Sequence, residues 1–349
     1  MMTRQTGSDA PMDSHHTQNE IPPLNVAVVY NEPKPDSARD EIDVLTQVES
    51  VSQALEQRGY AVSTIGATLD LSALTDRLRQ VSPPLVFNLV EALNGEEELI
   101  AVVPLLLDTL AIPYTGSQSS SLFSTTDKIL AKQILAANAI PTPAWSRCRD
   151  YADGTSGPNP PMIFKSAFRH GSVGIEEDSI AASESQASDR VARMNQREKN
   201  ELFAESFVDG REFNISLLAG GNGPEVLPCA EIRFEDWRKG KPRLVGYRAK
   251  WDTASWEYTH TTRTFEFSHD DGPLLAEVRR LSLACWDAFG ISGYGRVDFR
   301  VDENGKPWVL EINANPCLSP DGGFVAAAIQ AGITYGEMVL RIMQAALER

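Results

Sequence analysis

Hydrophobic positions in the first part of the chain follow two rhythms. Asn25 to Tyr30 (N-V-A-V-V-Y) is a short apolar run that ends in the Pro-rich acidic stretch Asn31 to Asp40, which predicts a buried first strand. Val44, Val48, Val51 and Leu55 then recur at helical spacing, with Gly59 as the stop. Strands are predicted at Tyr60 to Ile65 and Leu85 to Leu89. Strand, helix and strand in succession open an α/β unit. Helices are predicted over Leu99 to Leu110 and Asp127 to Ala137, and the prolines of A-I-P-T-P-A, Ala139 to Ala144, end the second and mark a boundary.

A second α/β unit follows the turn-rich stretch Asp150 to Pro161. It comprises a strand at Met162 to Ser166, a glycine loop and a polar helix near Ser183 to Asn200. From Leu202 onward the pattern turns to strands: Leu202–Phe207, Glu212–Leu218, Val226–Phe234 and Arg263–Phe267. A helix over Pro273–Phe289, strands Tyr294–Val301 and Trp308–Ile312, and a helix Tyr335–Leu347 complete the chain. Residues 1–23 are polar and lack any apolar period, so a disordered leader is expected there.

Composition narrows the function classes. The 349 residues, 42% hydrophobic and 23% charged, suit a globular protein of two or three packed units. The longest apolar run, Val102 to Leu107, is far short of the roughly 20 residues of a spanning helix, so a cytoplasmic protein with no membrane partner is expected. A net charge of −16 lacks the basic field that nucleic acid requires. Cys148, Cys229, Cys285 and Cys317 are scattered without metal-ligand spacing and read as buried free thiols.

Three strings carry chemistry. G-R-V-D-F-R-V-D-E-N-G-K-P-W-V-L-E-I-N-A-N-P, Gly295 to Pro316, predicts two strands joined by a D-E-N-G turn, with Asp298 on one and Glu311 and Asn313 on one face of the other. Hard oxygen donors on paired strands are what Mg²⁺ bound to a phosphate substrate needs. I-F-K-S-A-F-R-H-G-S-V-G-I, Ile163 to Ile175, sets Lys165 at a strand end before a loop with Gly171, Ser172 and Gly174, whose N–H groups can cover phosphate oxygens. The loop is not a Walker motif. A-E-S-F-V-D-G-R-E-F-N-I, Ala204 to Ile215, carries Glu205 and Glu212 at strand edges, where carboxylates can accept ribose hydroxyls.

In this order, together with I-P-Y-T-G-S at Ile112 to Ser117 and D-K at Asp127-Lys128, the strings resemble the ATP-grasp superfamily and, from about Asn25 to Leu347, the D-alanine:D-alanine ligases. The resemblance implies an α/β ATP-grasp fold: a preATP-grasp domain over 24–125, a central lid over 126–210 and a catalytic domain over 211–349, with ATP held between two antiparallel sheets. It implies that Lys128 and Lys165 contact the phosphates, Ser172 the γ-phosphate, Glu205 and Glu212 the ribose side and Phe207 the adenine. Asp298, Glu311 and Asn313 would hold two Mg²⁺ ions, or Mn²⁺. Arg296 would stabilise charge on the reacting carboxyl group, Lys250 would reach phosphate from a mobile loop, and the backbone N–H of Cys317 would serve an oxyanion. The expected activity is ATP-dependent joining of a carboxylate to an amine through an acyl phosphate, by a homodimer acting on small amino-acid or carboxylate substrates. The alternative is a noncatalytic ATP-binding or regulatory protein on the same fold.

Departures from that pattern lie at the substrate end. The family's early glutamate is matched by competing Asp40, Glu41 and Asp43, and the serine and tyrosine linked to it are replaced by Gly171 and Trp251. Leu89-Val90-Glu91 stands where the ligases usually have a histidine. C-L-S-P-D-G-G-F, Cys317 to Phe324, replaces a segment with a glycine for an oxyanion contact and a serine for the second substrate's carboxylate. Glu41, Glu91 and Gly322 are the substrate-side candidates.

Overall fold

The β-branched run after Asn25 forms strand β1 (Asn25–Asn31), which pairs in parallel with β2 (Ala61–Ala67) on one side and β3 (Leu85–Leu89) on the other. The computed structural model describes residues 24–148, 158–197 and 201–349. The leader expected over 1–23, and most of the turn-rich stretch after Asp150, lie outside the described residues.

Helix α1 (Arg39–Glu56) buries its Val44, Val48, Val51 and Leu55 stripe against this sheet, with Gln47 buried beside it. Helix α2 (Leu71–Val81) has no counterpart in the sequence reading, since only Leu74 and Leu78 are buried in it. The helix expected over Leu99 to Leu110 is split into a 3₁₀ turn at Glu97–Leu99 and helix α3 (Val102–Thr109). Pro104 explains the break, because its ring clashes with the carbonyl one turn earlier in a continuous helix. Helix α4 (Ser119–Thr126) leads into α5 (Lys128–Ala137), whose first turn is capped by Asp127 through the N–H groups of Ile129 and Leu130.

Beyond α5 every pairing between strands is antiparallel. Strands β4 (Trp145–Arg147), β5 (Met162–Ser166), β6 (Ile180–Ala181) and β7 (Leu202–Ser206) form a sheet in the order β4-β7-β5-β6, against which α6 (Glu184–Arg197) packs. Strands β8 (Arg211–Gly220), β9 (Gly223–Val226), β10 (Ala230–Phe234), β11 (Thr261–Thr264), β12 (Tyr294–Val301) and β13 (Pro307–Asn313) form the larger sheet, ordered β11-β10-β8-β12-β13 with β9 on β8. The strand expected over Val226–Phe234 is two, since Pro228 has no N–H to give a ladder. Short helices α7 (Tyr247–Trp251) and α8 (Trp256–Thr259) lie between β10 and β11, and α9 (Gly272–Phe289), α10 (Gly323–Gln330) and α11 (Tyr335–Leu347) complete the fold.

The hydrophobic cores interleave distant segments. Leu122, Ala131 and Leu135 of α4 and α5 pack with Phe213, Val278 and Val297 behind the large sheet. Phe324, Met338, Val339 and Ile342 pack with Val26, Val44 and Val51, so α10 and α11 close the core of the first sheet. No single helix among the described residues is long and apolar enough to cross a membrane.

Candidate active site

The two antiparallel sheets face each other across a cleft. Lys165 from β5, Glu205 from β7, Glu212 from β8, Asp298 from β12 and Glu311 from β13 line it, as do Lys128, Ser172, Phe207 and Lys250. Nine residues singled out from the sequence are therefore gathered in one cavity. A bulge opposite Asp298 and Phe299 skips Leu310 in the β13 register, and both Leu310 and Glu311 face the cleft.

One end of the cleft is cationic. Lys128, buried at the start of α5, donates to the Arg169 carbonyl at 2.6 Å and lies 3.6 Å from Glu311 Oε2. Burial drives its pKa down against the pull of Glu311 and Glu97. Lys165 bonds to Glu205 Oε1, and Lys132 reaches Glu205 Oε2 at 2.6 Å while donating to Thr142 Oγ1 at 2.6 Å. Burial pushes Glu205 up, but Lys132 and Lys165 outweigh it and hold the carboxyl below its usual range. Glu205 thus fixes two lysines. Lys132 was missed, although its place one turn after Lys128 in D-K-I-L-A-K puts it on the same helix face. Glu212 is paired with Arg300 at 2.9 Å.

The glycine loop is coiled through left-handed backbone at Gly171 (φ 61°), Ser172 (φ 65°) and Gly174 (φ 73°). Ser172 Oγ donates to the Val245 carbonyl at 2.7 Å, and Trp251 Nε1 donates to the Gly171 carbonyl at 3.1 Å. Tyr247 Oη donates to Asp40 at 3.1 Å, and Arg39 donates to the Trp251 carbonyl at 3.2 Å. The start of α1, the glycine loop and α7 therefore close on one another, with Lys250 inside.

Asp298 is the most densely bonded carboxylate on the cleft floor. Arg296 grips it with two bonds, Nε to Oδ1 at 2.7 Å and Nη2 to Oδ2 at 2.9 Å, while Asn214 donates to Oδ1 at 2.9 Å and Asn313 to Oδ2 at 3.3 Å. Arg296 and Asn313 thus meet the cleft through Asp298. Glu311 is held far below its usual range because Lys128, His170, Lys250 and Lys165 outweigh its burial. Among the described residues no three His, Cys, Asp or Glu side chains converge as a metal cluster. Two carboxylates and an amide are nevertheless a hard oxygen set, and Mg²⁺ needs only one or two carboxylates when phosphate supplies the rest.

An acidic cluster lies outside the residues that line the cleft. Glu91 accepts from Gln47 Nε2 at 2.9 Å, and Gln47 Oε1 accepts from the Leu318 N–H at 2.9 Å. Burial pushes Glu91 up to about 7, despite that bond, and Asp43 adds to it; burial likewise pushes Glu97 up to about 7 against Lys128. Cys317 Sγ donates to Asp43 at 3.1 Å, and Ser319 Oγ donates to the same oxygen at 2.7 Å. Cys317 is partly exposed at its surface, while its thiol is desolvated beside Glu91 and Asp43, which pushes it well up. Glu41 points toward Gly95, 3.2 Å from where a Cβ would stand there. Gly322 precedes α10.

This geometry has close relatives. Residues 154–344 match the family model described as D-ala D-ala ligase C-terminus. A D-alanine–D-alanine ligase of Nitrosococcus oceani is 31% identical over 324 residues, covering 90% of this chain and 92% of its own. The chain belongs to the D-alanine–D-alanine ligase family of the ATP-grasp superfamily. An uncharacterized protein of Sinorhizobium fredii, y4sG, is 30% identical over 86% of this chain and 87% of its own length. The crystal structure of a D-alanine–D-alanine ligase from Bacillus anthracis complexed with ATP shares the fold, with a TM-score of 0.72 at 21% identity over 93% of this chain and 98% of that one. Within this ligase family, the two residues that depart from the glutamate-linked pattern, Gly171 and Trp251, are bonded to each other here.

Proposed function

We propose that the protein is an ATP-dependent carboxylate–amine ligase that forms an amide bond through an acyl phosphate, acting on small amino-acid substrates. The observation that carries this reading is the meeting, in one cleft between two sheets, of Lys128, Lys165, Lys250 and Ser172 with Asp298 and Glu311. Lysines and a serine loop suit a polyphosphate, and the two carboxylates suit its counter-ion. ATP lies with its adenine near Phe207, its ribose at Glu212 and its phosphates over Lys128 and Lys165.

Asp298, Glu311 and Asn313 would hold Mg²⁺, or Mn²⁺, with Asn313 offering its amide oxygen. The ion would neutralise phosphate charge during transfer. A carboxylate is too poor an acylating agent for an amine, so its oxygen first attacks the γ-phosphorus and ADP leaves. The amine then attacks the acyl carbon, and phosphate departs. Arg296, oriented by its two hydrogen bonds to Asp298, and the Cys317 N–H stabilise the charge that builds on the acyl oxygen. Closure of α7 and the glycine loop keeps water from the acyl phosphate.

The test is phosphate release from Mg²⁺-ATP with D-alanine alone and then with a panel of D- and L-amino acids, products being identified by mass. Phosphate release that depends on an amine and yields an amide is the expected result. ATP binding without turnover across the panel would favour a regulatory protein. A homodimer is also part of this proposal, and light scattering at twice 38.3 kDa is its check.

A further inference from the structure

Arg300 lines the cleft but takes no part in these steps. On β12 it stands directly opposite Glu212 of β8, and directly paired residues share a face, so by alternation it joins Asp298 on the cleft side. The residue is 3% exposed. A guanidinium stays charged even when buried, so it needs acceptors around its whole edge. Among the described residues it has three. Its Nη2 lies 2.9 Å from Glu212 Oε2 and donates to the Arg243 carbonyl at 2.5 Å, while Nη1 donates to the Gly210 carbonyl at 3.0 Å. The turn at Gly210 presses onto β12 because it carries no Cβ, which would stand 2.0 Å from the Val301 carbonyl.

These acceptors belong to parts of the site with different tasks. Glu212 is the carboxylate assigned to the ribose, and Gly210 belongs to the turn before β8. Arg243 belongs to the segment between β10 and β11 that carries Lys250, and two residues on, the Val245 carbonyl accepts from Ser172 of the glycine loop. Lifting this segment takes an acceptor from a buried cation, at the cost of an unmade charged hydrogen bond. The guanidinium is a rigid planar fork, so it cannot follow one partner without leaving another. A contact that holds Glu212 still therefore also holds the donor that meets Arg243.

We propose that Arg300 is a positioning residue that couples ribose recognition at Glu212 to closure of the segment over residues 243–251. The inference rests on the ATP-binding reading and adds how the sugar of the nucleotide is communicated to the lid.

The experiment is limited trypsin digestion of the full chain with no nucleotide and with saturating Mg²⁺-ATP, 2′-deoxy-ATP or 3′-deoxy-ATP, without amino acid. The segment presents exposed Arg238, Lys239 and Arg243 to trypsin, and cleavage there, identified by fragment mass, tracks how often the segment opens. In the parent, ATP should slow this cleavage about tenfold more than at least one deoxy analogue does. In Arg300→Lys, whose ammonium keeps the charge beside Glu212 but lacks the fork, cleavage without nucleotide should be faster and the three nucleotides should protect equally. The double variant Glu212→Gln with Arg300→Met leaves no buried charge unpaired, and it should behave the same way should Arg300→Lys not fold. Equal protection by all three nucleotides in the parent, or a preference for ATP that survives in either variant, overturns the coupling while the ATP reading stands. No binding of ATP to the parent by titration calorimetry overturns that reading and this inference with it.

Discussion

Glu91→Gln isolates the cost of holding a charge at a buried carboxyl group. Burial raises the Glu91 carboxyl from 4.5 to about 7, and Asp43, Glu97 and Asp40 push it the same way. The folded protein therefore binds this proton more tightly than the unfolded chain does. The stability linked to it is complete below about pH 4.5 and is lost as the pH rises to about 7. At about 1.4 kcal/mol per unit, the loss reaches roughly 3 kcal/mol above pH 7. Glutamine carries no charge, and its amide oxygen can accept the same bond from Gln47. Variant and parent should nearly match at pH 4.5, and the variant should be the more stable by about 3 kcal/mol at pH 8. Urea unfolding followed by tryptophan fluorescence at several pH values measures the difference. Glu97 titrates in both proteins and enters the difference only through its coupling to Glu91. A difference that is constant with pH, or a variant less stable at pH 8, refutes the reasoning.

Other perturbations test other parts of the site. Lys132→Met leaves a carboxylate that is 1% exposed with only Lys165 beside it, so a loss of roughly 3 kcal/mol in urea unfolding is expected, with a higher KM for ATP as Lys165 loses its anchor. Trp251→Phe removes the indole donor to Gly171 and about 1 kcal/mol of closure, which predicts a roughly fivefold rise in the KM for ATP. Glu311→Gln should lower kcat roughly 100-fold or more while the far-ultraviolet circular dichroism stays that of the parent.

The fold was legible where local pattern and burial agree. The β1 run and the α1 stripe are apolar because they meet one core, and their period shows it. The ATP end was legible because phosphate and its counter-ion demand particular residue types at short range, as in Lys165 with its loop and the Asp298, Glu311 and Asn313 set. What escaped depends on packing between distant segments. Nothing near Glu205 in sequence says that Lys132 bonds to it, and α2 has too few buried positions to mark a period.

The shared core of β1, α1, α10 and α11 bears on the order in which the protein can be made. Val26 and Val44 leave the ribosome some three hundred residues ahead of Met338 and Ile342, the side chains that cover them. Arg349 adds bonds to the Gly116 carbonyl and Ser292 Oγ, each at 3.0 Å. Strand β1 thus waits, with part of its apolar surface uncovered, until α10 and α11 have emerged. A premature stop before α11 would leave β1 and α1 without their cover, and apolar surface exposed in that way promotes association of partly made chains.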